Sequence, residues 1–174
     1  MKTPKWFVAY TRARFEKKVH LEIQRKGIQS YLPLHKVKRQ WSDRIKLVEV
    51  PLFSSYIFVK TTLDKIPKLM ELKGIARFLS FDGKFATIRE EEINMIEKVL
   101  NNDCKDININ IRPKKSIIIG QKIKIEQGVF TGLEGIFLKE HGKDCLVISI
   151  PGLNQDLLIT MPNTFIERES ISMS

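Results

Sequence analysis

Hydrophobic positions along the first hundred residues switch between two periods, and the switching predicts strands and helices in turn. Trp6-Phe7-Val8-Ala9-Tyr10 is an apolar run of strand length. It leads into Arg14 to Lys26, where Phe15, Val19 and Ile23 recur at helical spacing and Gly27 supplies a C-terminal stop. Ile28 to Val37 reads as a strand interrupted by Pro33, Lys38 to Arg44 as a polar hairpin tip, and Ile45 to Val50 as the return strand. Pro51 opens a third stretch, Phe53 to Lys60, whose apolar and aromatic character predicts a central strand. A second helix is predicted from about Asp64 to Leu72, ending at Lys73-Gly74. Asp82-Gly83, between Phe78-Leu79 and Phe85 to Ile88, is a hairpin-turn signal. Arg89 to Leu100 reads as an amphipathic helix with Ile93, Ile96 and Leu100 on one face and Glu90, Glu91 and Glu92 near the positive end of its dipole.

From Asn101 the pattern changes. Residues 101–115 are polar, rich in Asn and without helical periodicity, which reads as a linker. Beyond it only strands are predicted: Lys122-Ile123-Lys124-Ile125-Glu126 alternates with period two, and Leu133 to Leu138, Cys145 to Ile150 and Asp156 to Met161 follow between Gly-containing turns. The expected fold class is therefore α+β: an N-terminal antiparallel sheet with flanking helices over residues 1–100, then a small C-terminal SH3-like β-barrel over residues 116–170.

Composition narrows this picture by exclusion. With 43% hydrophobic residues in 174, the chain can build a packed core and is not a disordered tail. Cys104 and Cys145 lie far apart, match no CxxC spacing and suit a reducing compartment, so a cytoplasmic location is expected. The apolar runs are far shorter than the roughly 20 residues of a spanning helix, and no membrane association is expected. Charge is more informative once divided. Residues 1–100 hold 21 Lys+Arg and 11 Asp+Glu, whereas residues 101–174 hold 9 of each, so the whole formal excess of +10 is N-terminal. In residues 1–50, 13 basic residues face only Glu16, Glu22, Asp43 and Glu49. Confinement to one segment is the electrostatic footprint of a surface that meets phosphates or an acidic partner.

Two groups of residues resemble known motifs. The strand Lys122 to Glu126 reaches Gly128, two glycines follow at Gly132 and Gly135, and a further strand begins at Ile136. Glycines there allow positive φ and close backbone approach where a small barrel turns sharply. The string resembles the KOW motif. Trp6 to Thr11, a helix entered through Glu16, Tyr31-Leu32-Pro33, Pro51 to Val59, Gly74-Ile75 and Phe78-Leu79 resemble, in order and spacing, the landmarks of the NusG N-terminal domain. Together the resemblance runs from about Lys5 to Arg168 and is to bacterial NusG-type transcription elongation factors. Compact length, a basic first half and the phrase Ile150-Pro151-Gly152-Leu153-Asn154-Gln155 look closer to the specialised antitermination paralogues, RfaH and the UpxY group.

That resemblance implies a mechanism and a set of residues. An aromatic surface docks on the clamp helices of RNA polymerase; by motif position its residues are Tyr10, Phe53, Tyr56 and Phe58, although the same aromatics also suit the core of the sheet. Lys65 and Lys68 occupy the place where the family meets the second jaw. Arg12, Arg14, Lys17 and Lys18, with Lys36, Lys38, Arg39, Arg44 and Lys46 on the hairpin, face upstream DNA or the displaced non-template strand. Trp41 at the tip either stacks on an unpaired base or packs within the hairpin. The KOW unit recruits Rho or a ribosomal protein of the small subunit, with Phe130, Thr131, Phe165 and Ile166 as candidate contacts; Phe165 equally suits the barrel core. A monomer is expected. The alternatives are a housekeeping NusG that assists Rho, or a KOW-containing RNA-binding or ribosome-associated protein. Catalysis, metals and cofactors are not expected: His20, His35 and His141 show no ligand spacing, and no nucleophile elbow or phosphate-binding loop is present.

Overall fold

A computed structural model describes residues 3–101, 108–113, 120–125, 130–161 and 171–173. The chain divides into two compact units, Met1–Ile93 and Asn94–Ser174.

In the first unit β1 (Lys5–Thr11) leads to helix α1 (Glu16–Arg25), then to β2 (Gln29–Tyr31), β3 (Leu34–Gln40), β4 (Ile45–Pro51) and β5 (Tyr56–Thr61). A 3-10 turn over Leu63–Lys65 runs into helix α2 (Ile66–Met70), followed by β6 (Ile75–Phe78), β7 (Ser80–Phe81), β8 (Lys84–Phe85) and β9 (Thr87–Ile88); helix α3 (Glu90–Leu100) begins in this unit and continues past Ile93 into the second. The main sheet has the order β2-β5-β1-β6, with β9 also beside β1. β1 and β5 are antiparallel with Val8 opposite Phe58 and Tyr10 opposite Tyr56. The two-residue period therefore sends Phe7, Ala9, Ile57 and Val59 to one face, where they pack with Val19 and Ile23 of α1 and Ile66 and Leu69 of α2. The other face carries Trp6, Val8, Tyr10, Tyr56, Phe58 and Lys60.

Local signals explain the boundaries. Gly27 at φ +71° follows α1; its N–H bonds the Gln24 carbonyl while Ile28 N–H bonds that of Ile23, the paired bonds of a Schellman stop. Asp82 and Gly83 both take positive φ between β7 and β8, as a two-residue primed turn requires. Glu92 reaches back to the Arg89 N–H at 2.9 Å and closes the start of α3. Three expectations shift. Lys38, Arg39 and Gln40 belong to strand β3, so the tip shrinks to Trp41–Arg44. Pro67 sits in the first turn of a helix of only 5 residues, preceded by the 3-10 turn, where one longer helix is predicted. The buried residues of α3 include Val99, while Leu100 is half-buried.

The second unit is a six-stranded antiparallel sheet in the order β10-β14-β13-β12-β11-β15, formed by β10 (Asn108–Pro113), β11 (Gln121–Ile125), β12 (Glu134–Glu140), β13 (Lys143–Ile150), β14 (Gln155–Met161) and β15 (Ile171–Met173). Ile123, Ile125, Phe130, Leu133, Leu146, Ile150, Leu157 and Ile159 are buried in it. β10 lies in the stretch read as a linker; Ile109 and Ile111 alternate with Asn there, and pairing with β14 outweighs the turn preference of Asn. Of the motif glycines, Gly132 takes φ +83° and Gly135 lies in β12; Gly128 is outside the described residues. Among the described residues no helix is long and apolar enough to cross a membrane.

Candidate interaction surface

The expected docking aromatics separate into two depths. Tyr10 and Tyr56 are half-buried neighbours across β1 and β5, with ring centroids 5.5 Å apart in edge-to-face contact. Phe53 and Phe58 are core: they are 2% and 0% exposed, 5.8 Å apart, and Phe58 also stacks on Tyr31 at 6.1 Å. Neither offers a ring to a partner, which corrects their assignment as docking residues. The physical reason is that Phe58, one strand position pair from Tyr56 on the same face, lies further along a face that is covered, while Tyr56 lies at its open end.

One residue of this surface was missed. Arg77, exposed on β6, stands directly opposite Tyr10, and its guanidinium carbon lies 5.2 Å from the Tyr10 ring centroid. Tyr56, Tyr10 and Arg77 thus form a row across three adjacent strands. The available sequence signal was weak: Arg77 is the polar position before the buried Phe78 in a strand of 4 residues.

The row is aimed by a buried carboxylate. Glu16, in the first turn of α1, accepts the Ser55 N–H at 2.9 Å. Ser55 has φ +65°, a left-handed conformation unusual for a residue with a side chain, and its carbonyl accepts the Thr11 N–H at 2.7 Å. Glu16 therefore fixes the turn from which β5 and Tyr56 emerge.

The basic residues are exposed but do not form one face. Arg12, Arg14, Lys17 and Lys18 lie at the end of β1 and along α1. Lys17 bonds the Glu49 carbonyl of β4 at 3.1 Å, which ties the helix to the hairpin, and Lys18 lies 5.8 Å from the Phe15 ring centroid. On the β3–β4 hairpin, Lys36 and Lys38 share a face with the exposed Ile45 and Leu47, while Arg39 stands directly opposite Lys46 on the other. Like charges facing each other across strands repel, and a bound polyanion would relieve that repulsion. Trp41 is 56% exposed, with Lys46 Nζ 5.6 Å from its ring centroid, so one indole face already carries a cation. Arg44 pairs with the neighbouring Asp43 at 3.6 Å. Lys65 and Lys68 are exposed on the 3-10 turn and α2.

In the second unit Phe130 is 0% exposed, so it belongs to the core and not to a contact surface. Its ring is apolar from every side and fills the interior that a unit this small must pack. Thr131 is exposed, and its carbonyl accepts a bond from Lys98 Nζ. Phe165 and Ile166 lie outside the described residues.

Two histidines make the first unit acid-sensitive. Burial lowers the pKa of both His20, which sits 2.9 Å from the Ser30 hydroxyl, and His35. A folded-state pKa below the unfolded one means that the unfolded chain binds protons first. Their contribution is present above the ordinary imidazole value and is lost as pH falls below it. Glu90 is displaced by hydrogen bonds from Lys60 and Trp6, which hold it below the usual carboxylate range, so it acts at lower pH. The unfolding midpoint in urea is expected to fall between pH 7.5 and 5.5, and to fall less in His20→Gln; equal drops in both proteins would refute the assignment to His20.

An antiparallel sheet flanked by helices, followed by a small β unit and bearing an aromatic and cationic surface, defines a two-unit α+β protein whose exposed features suit binding. The family model described as transcription termination factor nusG matches residues 4–97. The chain belongs to the NusG family of transcription factors. Among solved structures, Thermotoga maritima NusG is similar at 16% identity over 91% of this chain and 93% of that one, with a TM-score of 0.53, and shares the fold. The MjSpt4:Spt5 complex aligns at 16% identity over 97% of both chains with a TM-score of 0.30.

Proposed function

We propose that the protein binds RNA polymerase through the Tyr56, Tyr10 and Arg77 row, suppresses pausing or termination, and recruits a protein partner through its second unit. The observation that carries this reading is the half-exposed tyrosine pair, held on a rigid sheet by the Glu16–Ser55 bond instead of being withdrawn into the core. Tyr combines an apolar ring with a polar tip, so it tolerates water before docking and excludes it afterwards. Family membership supports polymerase as the partner. The cationic hairpin and α1 meet upstream or non-template DNA, and the second unit, without net charge, suits Rho or a ribosomal protein of the small subunit better than RNA. The N-terminal charge supports a specialised antiterminator of the RfaH and UpxY kind.

In the full chain, Tyr10→Ala with Tyr56→Ala is expected to weaken binding to core RNA polymerase by tenfold or more, about 1.4 kcal/mol or above, with an unchanged circular dichroism spectrum. Unaltered affinity would sink the reading.

A further inference from the structure

β10 and β15 are the two outermost of the described strands of the second unit. Among those strands β10 pairs with β14 alone, from Asn108 opposite Thr160 to Pro113 opposite Gln155, as β15 pairs with β11. β14 otherwise has β13 on its inner side, where apolar pairs such as Leu146 with Ile159 are buried in the core. On β10 the pattern is half-buried Ile109 and Ile111 alternating with exposed Asn108 and Asn110.

The remaining tie is electrostatic. Arg112 stands directly opposite Asp156, a carboxylate that is 0% exposed. Its Nε lies 3.9 Å from Asp156 Oδ2 and its Nη1 3.8 Å from Glu140 Oε2. Both separations are ion-pair distances too long for a hydrogen bond, and Arg112 Nε is a buried donor without a hydrogen-bond partner. The Ser149 hydroxyl donates to the other Asp156 oxygen at 2.7 Å. Asp156 is thus a buried anion on the inner strand, and the outer strand supplies the opposing cation at ion-pair distance.

We propose that the outer edge of β14 is an acceptor site for an extended strand of a protein partner, and that β10 occupies it in cis until the partner displaces it. The inference rests on the reading that the second unit recruits a protein. The edge specifies its occupant: alternate apolar residues in place of Ile109 and Ile111, and an Arg or Lys opposite Asp156. A chain that carries its own occupant holds it at high effective concentration, so only a strand binding better than β10, or one delivered at high local concentration, takes the edge.

Hydrogen exchange on the full chain tests the masking. In the wild type, β10 amides are expected to exchange at least tenfold faster than those of β13. In Arg112→Glu, which places an anion opposite Asp156, the β14 amides are expected to accelerate at least tenfold while the β12–β13 pairing stays protected. A fluorescent peptide copying residues 107–114 is then expected to bind this variant at least tenfold more tightly than the wild type. Equal protection of β10 and β13 in the wild type would overturn the proposal, because β10 would then be an integral strand. So would loss of β13 protection together with β14 in the variant, or an exposed β14 that does not take the peptide. If Arg112→Glu fails to fold, Ile109→Ser with Ile111→Ser weakens β10 without altering charge and is read in the same way. Polymerase binding is measured on the same proteins. Its absence with a separable β10 defeats only the docking reading, and its presence with an integral β10 defeats only this one.

Discussion

Phe58→Ala is expected to lower the unfolding free energy of the first unit by about 3–5 kcal/mol, enough to leave little of it folded near body temperature. Phe58 is fully buried, touches the rings of Phe53 and Tyr31, and lies opposite the equally buried Val8 in the centre of the sheet. Truncation removes a ring from among neighbours fixed by paired strands, so the cavity cannot collapse. Trp6, buried on the same face, gives a fluorescence signal for urea unfolding of this unit. A loss below about 1 kcal/mol would show that the site relaxes and that Phe58 is not core. The result also separates stability from binding. A loss of polymerase affinity in Phe58→Ala reports unfolding, whereas Tyr10→Ala with Tyr56→Ala removes half-exposed rings and reports docking.

The second large effect is expected at Gly135→Ala. A Cβ added there would lie 2.5 Å from the Val147 carbonyl oxygen and 2.8 Å from Leu146 Cδ1. The obstacle is backbone, and it cannot move aside: Gly135 is opposite Ile123 on β11, and its neighbour Ile136 is opposite Val147 on β13. Overpacking a position clamped from both sides belongs at or above the upper end of the usual range, about 3 kcal/mol, and is expected to unfold the second unit while leaving the first intact. Hydrogen exchange resolved by unit would show this as lost protection across β10 to β15, with β1 to β9 unchanged. Wild-type protection in Gly135→Ala would mean that the strands separate more easily than their pairing implies.

Much of the first unit was legible because its signals are local. Phe15, Val19 and Ile23 with Gly27, the Asp82-Gly83 turn and the acidic start of α3 each act within a few residues, and each formed where expected. The failures share a cause. Which face of β5 meets a helix and which end stays open depends on strands far away in sequence, so Tyr56 and Phe58 look alike until the sheet is assembled. Arg77 joins the surface only because β6 lies beside β1, and Phe130 is core only because the second unit closes over it. β10 was hidden by composition: Asn between isoleucines reads as a loop unless a partner strand exists to receive it.

The row of Tyr56, Tyr10 and Arg77 has a length as well as a chemistry. It crosses two interstrand gaps, each about 4.8 Å, so its ends are close to 10 Å apart. Two turns of an α-helix advance about 10.8 Å. A helix laid across the strands, perpendicular to them, would meet the row with side chains at i, i+3 or i+4, and i+7, one above each strand. The sheet is in effect a ruler graduated in helical turns, and it is commensurate with a helix in that one orientation and not with one lying along the strands.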